Sequence, residues 1–234
     1  MFVDPAKIAV MDFLMSIANR WYALDIEIKL GLSRGEYWDE IIEPLKKKFA
    51  EEVGQGNVAP LHNSSNIIPC ALVLPEERMP LDKQFEAYRF KPPDFNKNVK
   101  LAFFSRGGGL NASAKPYVIT NVSVRGPYPA PQYLGTVAQT IAGSYKEELL
   151  DLERVLAVFL SHTVNKKLRP WDIGGLKGDV VVGLSGRQDR DRVSVPVVNF
   201  DSSLGITVNS FTSDKTLAMS QYHRFIACEK ILRI

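Results

Sequence analysis

The chain is poor in the residues that carry enzyme chemistry or covalent cross-links. Two cysteines, Cys70 and Cys228, and three histidines, His62, His162 and His223, are spread over 234 residues. Two cysteines cannot staple a small secreted scaffold, and they are expected to be small buried hydrophobes. No apolar run approaches the roughly 20 residues that a membrane-spanning helix needs. Charge of either sign is nearly balanced. The 29 Lys and Arg against 26 Asp and Glu leave a formal net charge of +3, too small a sum to identify a nucleic-acid binder. Met1–Pro5 lacks the cationic start and apolar stretch of a secretory signal. A cytoplasmic location, or the inside of a viral particle, is therefore expected. The N-x-[ST] triplets at Asn63, Asn111 and Asn121 then read as chance matches. What the chain does have is apolar residues: at 45% they exceed the content of a disordered chain and suffice for a sizeable core.

Local motifs for catalysis or cofactors fail one by one. His223 and Cys228 form the closest His/Cys pair, with no second pair beside them, so no zinc motif exists. Gly183-Leu184-Ser185-Gly186 has the wrong spacing for a nucleophile elbow. Cys70 and His62 are isolated residues with no spacing that would make them nucleophile and base. Gly107-x-Gly109-x-x-Ala112 fits a dinucleotide fingerprint in letters. It leads through Lys115-Pro116 into another strand where the fingerprint needs a helix. Asp189 and Asp191, near Asp172, Asp179 and Asp201 in sequence, alternate with Arg187, Arg190 and Arg192. They read as a self-neutralising loop, not a cation site. No catalytic residue, metal or cofactor is expected.

Periodicity supplies the architecture. Asp4 and Pro5 mark a helix start, followed by a helical stripe at Ile8, Met11, Leu14 or Met15, Ala18 and Tyr22. Leu24, Ile26, Ile28, Leu30 and Leu32 alternate with Asp25, Glu27, Lys29, Gly31 and Ser33, which predicts a strand with one buried face. Ser33 and Glu36 fit a capping box for a second helix over 34–52, with Trp38, Ile41, Ile42, Leu45 and Phe49 as its stripe. Pro44 should kink or shorten that helix. Residues 66–74, 99–104 and 115–124 are strand candidates, set among prolines at 69, 75, 80, 92, 93, 127, 129 and 131. Leu134, Val137, Ala138, Ile141, Tyr145, Leu149, Leu152, Leu156 and Phe159 keep a helical stripe. They predict a long helix from Pro131 to Asn165, with Gly143 and Ser144 as the point where it would bend or divide. Residues 180–184, 193–200 and 204–208 read as strands, and 216–234 fit helix and strand equally. The expected class is α+β: helix-strand-helix, an irregular proline-rich β middle, one long central helix and a β-rich C-terminal part. A single domain over 1–234 is expected, with a soft boundary near 54–66.

The small charge is unevenly distributed. Residues 1–87 carry nine basic and fourteen acidic side chains, 88–145 seven and one, and 146–234 thirteen and eleven. The basic residues of the middle segment are Arg89, Lys91, Lys97, Lys100, Arg106, Lys115 and Arg125, against Asp94 alone. The same segment holds Tyr88, Phe90, Phe95, Phe103, Phe104, Tyr117, Tyr128, Tyr133 and Tyr145. Cations neutralise phosphates while ring faces stack bases, so interleaving the two suits single-stranded RNA or DNA. The expected nucleic-acid-binding residues are Arg89, Lys91, Arg106, Lys115 and Arg125, with Tyr117 or Phe104 stacking. A second arm is expected from Lys166, Lys167 and Arg169, with Lys177 in the Gly174–Gly178 loop.

This pattern is expected of a non-catalytic subunit of a larger assembly that contacts single-stranded nucleic acid. Its partners would be other subunits or copies of itself, and no membrane. The alternative is a viral or phage structural protein, a capsid or tail component acting through protein–protein contacts. In either case scattered cations and strand aromatics also arise simply as solvated surface and core.

Overall fold

A computed structural model describes residues 5–56, 67–89, 115–126, 132–164, 167–168, 180–181, 187–189, 192–201, 205–214, 218–219 and 224–234. The class is α+β, as the periodicity predicts. Helix α1 (Pro5–Ala23) starts at the predicted proline and buries Leu14, Ile17, Ala18 and Trp21 at helical spacing. Its far end is pinned by two long-range hydrogen bonds. The Trp21 indole donates to the Tyr88 hydroxyl, and the Tyr37 hydroxyl donates to the Ala18 carbonyl at 3.0 Å.

The strand predicted over 24–32 is not formed. Asp25 takes a left-handed conformation (φ 54°), Ile26–Lys29 makes one helical turn, α2, and Gly31 takes φ 74°. Ile26 and Leu30 are buried, but Ile28 between them is 59% exposed and Glu27 is buried in its place. The working period is thus four, not two. Alternation alone could not separate the two, because among the described residues no strand pairs with this stretch to demand an extended chain.

The capping box forms as predicted: Ser33 Oγ accepts from the Glu36 N–H at 3.3 Å, and Glu36 Oε2 accepts from the Ser33 N–H at 2.6 Å. It opens a continuous helical rod of α3 (Arg34–Glu36), a π segment (Tyr37–Ile42) and α4 (Glu43–Gly54). The π segment explains how Pro44 fits. A proline inside an α-helix lacks an N–H and presses its ring on the carbonyl four residues back. Widening the preceding turn, so that the Glu43 N–H reaches the Trp38 carbonyl, places Pro44 in the first turn of α4.

Strand β1 (Ile67–Val73) leads to α5 (Leu81–Ala87), and β2 (Tyr117–Arg125) follows. Beyond it lie β3 (Gln132–Tyr133), α6 (Leu134–Ser144), β4 (Glu148–Leu149) and α7 (Leu152–His162). The single long central helix is therefore two helices, divided just after Gly143 and Ser144. The chain leaves α6 with Lys146 in a left-handed conformation (φ 54°) and adds β4 to the sheet before α7 begins. Asp151 caps α7, its Oδ1 accepting from the Arg154 N–H at 3.0 Å.

The remaining chain is β: β5 (Thr163–Val164), β6 (Lys167–Leu168), β7 (Val180–Val181), β8 (Arg187–Asp189), β9 (Arg192–Asp201), β10 (Gly205–Asp214), β11 (Ala218–Met219), β12 (Phe225–Cys228) and β13 (Lys230–Leu232). Strands β9 and β10 form a long hairpin, which also carries β7 and β8. The ambiguous C-terminal stretch resolves as strands β12 and β13, both antiparallel to β2. The main sheet runs β1-β2-β12-β4, with β13 also on β2. Pairing partners share a face, so Lys230, opposite Thr120, marks one side of β2, and it reaches Glu52 of α4. Tyr117, on the other side, reaches Glu153 of α7. Helices cover both faces, which is why Tyr117–Ser123 is buried without alternation. The predicted strand at 99–104, the Gly107–Gly109 loop, the prolines at 127, 129 and 131 and, of the soft boundary near 54–66, residues 57–66 lie outside the described residues.

Candidate functional site

One face of β2 is unusually polar for a buried strand. Tyr117, Asn121, Ser123 and Arg125 share it, and each meets a carboxylate brought from elsewhere. Tyr117 donates to Glu153 Oε1 at 2.9 Å. Asn121 donates to Glu229. Ser123 Oγ lies 3.0 Å from both Glu147 oxygens, and Arg125 Nε donates to Glu147 Oε2 at 2.8 Å while its Nη2 takes Oε1. The local reason is the sheet itself. Antiparallel pairing sets Glu229 across from Asn121, and the turn between α6 and β4 sets Glu147 beside the end of β2.

The Tyr117 end is the more buried. Arg154 Nε donates to the Tyr117 hydroxyl at 3.2 Å, and its Nη1 reaches Glu148 at 2.8 Å and Asp151 at 3.8 Å. Glu153 also accepts from the Glu76 backbone N–H at 2.7 Å. The Arg233 guanidinium lies 4.2 Å from the Tyr117 ring centre. Burial raises the Tyr117 hydroxyl pKa, and the Glu153 charge adds to it. Burial likewise raises Glu153, although the Glu76 N–H and Tyr117 oppose it. Burial alone would lower Arg154; Asp151, Tyr117 and Glu148 more than offset that and keep it charged. The arrangement ties α7, the loop after β1 and β2 into one hydrogen-bonded unit. No three of His, Cys, Asp and Glu converge on a metal-binding position among the described residues, and no described helix is long and apolar enough to cross a membrane.

The predicted nucleic-acid contacts separate into three groups. Arg89 and Lys115 are exposed and border the segment 90–114; Arg89 also holds a left-handed backbone (φ 62°) at the end of α5. Tyr117 and Arg125 are drawn into the fold. Tyr117 is 2% exposed, one ring face is covered by Arg233 and its hydroxyl is engaged. It has no face for a base, and its predicted stacking role is corrected to a structural one. Arg125 spends its donors on Glu147. Lys91, Phe104, Arg106 and Lys166 lie outside the described residues, as do His62 and His223, and Lys167 is described only by its backbone in β6. Cys70 and Cys228 are buried and unbridged, as expected.

Sequence reasoning missed Glu147, Glu148, Asp151, Glu153 and Arg154 as interacting groups. On a continuous helix they read as the solvated side. The signal available was Gly143-Ser144 followed by six charges in the nine residues Lys146–Arg154, too many for one exposed helical strip beside so apolar a stripe. Compared with known proteins, the chain matches no family model, no curated protein and no solved structure.

Proposed function

We propose that the protein is a non-catalytic subunit of a macromolecular assembly that contacts single-stranded nucleic acid through residues 89–115. The observation that carries this reading is the placement of Arg89 and Lys115, two exposed cations at the borders of that segment. Between them the sequence adds Lys91, Lys97, Lys100 and Arg106 against Asp94. Residues 90–114 thus hold a charge of +3, as large as that of the whole chain, while everything else sums to zero. Phe90, Phe95, Phe103 and Phe104 lie among these cations. Phosphate neutralisation releases counterions, so such a surface binds with a strong salt dependence.

The supporting experiment is an anisotropy titration with single-stranded RNA and DNA at two salt concentrations. Binding that weakens steeply with salt, and more weakly in Arg89→Ala/Lys115→Ala, is the expected result. No binding at low salt, or binding indifferent to salt, refutes the reading and leaves a subunit that acts through protein–protein contacts.

A further inference from the structure

Among the described residues Tyr145 is the most exposed aromatic ring, at 47%. It is also one of the most firmly supported. The Arg125 guanidinium lies 3.9 Å from its ring centre, in contact with one face. Arg125 in turn donates from Nε and Nη2 to the two Glu147 oxygens, and Glu147 also accepts from Ser123 and is only 9% exposed in its side chain. The backbone is fixed as well. The N–H groups of Tyr145 and Glu147 both donate to the Ile141 carbonyl, at 3.3 and 3.2 Å, around the left-handed Lys146. The ring is thus backed by Arg125 on one face while the residue stays 47% exposed, on a backbone that its own hydrogen bonds hold in place.

From this we infer that Tyr145 is a stacking platform for an unpaired nucleobase of single-stranded nucleic acid, with the exposed Lys146 beside it for a phosphate. The inference rests on the nucleic-acid reading above and supplies it with the aromatic contact that Tyr117 cannot make. Three physical points carry it. A ring backed by a guanidinium presents a polarised face to the base. Glu147 neutralises Arg125, and Glu148 shares Arg154 with Asp151, so the exposed Lys146 is the cation beside the ring that is placed to meet a phosphate. A pre-ordered ring also gives up less conformational entropy on binding than a mobile one.

The test titrates a fluorescein-labelled oligouridine against the full chain and three variants, Tyr145→Ala, Tyr145→Phe and Arg89→Ala/Lys115→Ala. Stacking predicts that Tyr145→Ala weakens binding by about tenfold to a hundredfold with an unchanged salt slope. Tyr145→Phe should bind within about twofold of the parent, since the ring is retained. The double cation variant should instead flatten the salt slope. A 4-thiouridine oligomer should photo-crosslink at residue 145, read by mass spectrometry. If Tyr145→Ala binds like the parent while the cation variant is weakened, the platform is wrong and the wider reading stands. If the parent does not bind at all, both fall together.

Discussion

Tyr117 and Glu153 are 36 residues apart in sequence, yet the phenol hydroxyl of β2 donates to the carboxylate of α7 at 2.9 Å. That oxygen of Tyr117 also accepts from Arg154, so one hydroxyl serves a half-buried acid and a buried base together. Tyr117→Phe keeps the ring and its contact with Arg233 but leaves both charged groups one partner short. Leaving buried polar groups unpaired costs about 1–3 kcal/mol. The expected outcome is an unfolding free energy lowered by that amount, read as a lower urea midpoint at unchanged m-value, while Tyr145→Phe, at an exposed ring, changes it by less than about 0.5 kcal/mol. Equal stability of the two variants would show that the Tyr117 hydroxyl is not part of what holds α7 to the sheet.

The same site makes stability depend on pH in a direction that can be worked out. Glu153 is a carboxyl whose folded-state pKa is raised above 4.5, by burial first. Between its unfolded and folded pKa values the native chain binds more protons than the unfolded one. Stability from this group is therefore full below about 4.5 and declines as pH rises through the folded value. Glu153→Gln removes the titration. The stability difference between variant and parent should move in the variant's favour as pH is raised from 4 toward 7, measured by urea unfolding at each pH. A difference that is flat, or that moves the other way, contradicts the assignment.

What the sequence made legible was set by local physics. Pro5, the Ser33–Glu36 box and the strands around 67–73 and 117–125 depend on neighbours a few residues away, and all appear in the structure. The stretch 24–32 misled because Ile26 and Leu30 satisfy a period of two and a period of four equally. Only the left-handed Asp25 and Gly31 decide between them. The polar face of β2 was illegible for a different reason. Its partners come from 22 to 108 residues away, and no pattern along one chain says which carboxylate will be folded against which donor. The cations at 89 and 115 were legible as charge, while the fate of Arg125 was not, because the bidentate carboxylate that holds it lies across a turn read as helix.

Glu27 is a second consequence of the turn at 26–29. It is fully buried, and neither carboxylate oxygen meets a hydrogen-bond donor among the described residues. The Tyr37 hydroxyl, raised by burial first and then by Tyr88 and Glu27, is already engaged with Ala18. An unpaired buried acid is destabilising relative to an apolar side chain of similar length. Glu27→Met should therefore raise stability by about 1–3 kcal/mol, read as a higher urea midpoint. A variant no more stable than the parent would mean that Glu27 finds a partner that offsets its burial.

Cys70 and Cys228 lie on strands that flank β2, and both are buried. Burial pushes each thiol up to about 12, with the Glu148 charge adding to the effect at Cys228. The thiolate is the species that attacks disulfides and maleimides, so at pH 8 both reactivity and access are suppressed. Neither cysteine should react with Ellman's reagent over minutes in the native protein, and two thiols per chain should react at once in denaturing urea. Because labelling then requires opening of the sheet, variants such as Tyr117→Phe that loosen the grip of α7 on β2 should speed native-state labelling in proportion to their loss of stability. Rapid stoichiometric labelling of the folded parent would contradict the burial of these strands, and with it the covered sheet on which the Tyr117 and Arg125 assignments depend.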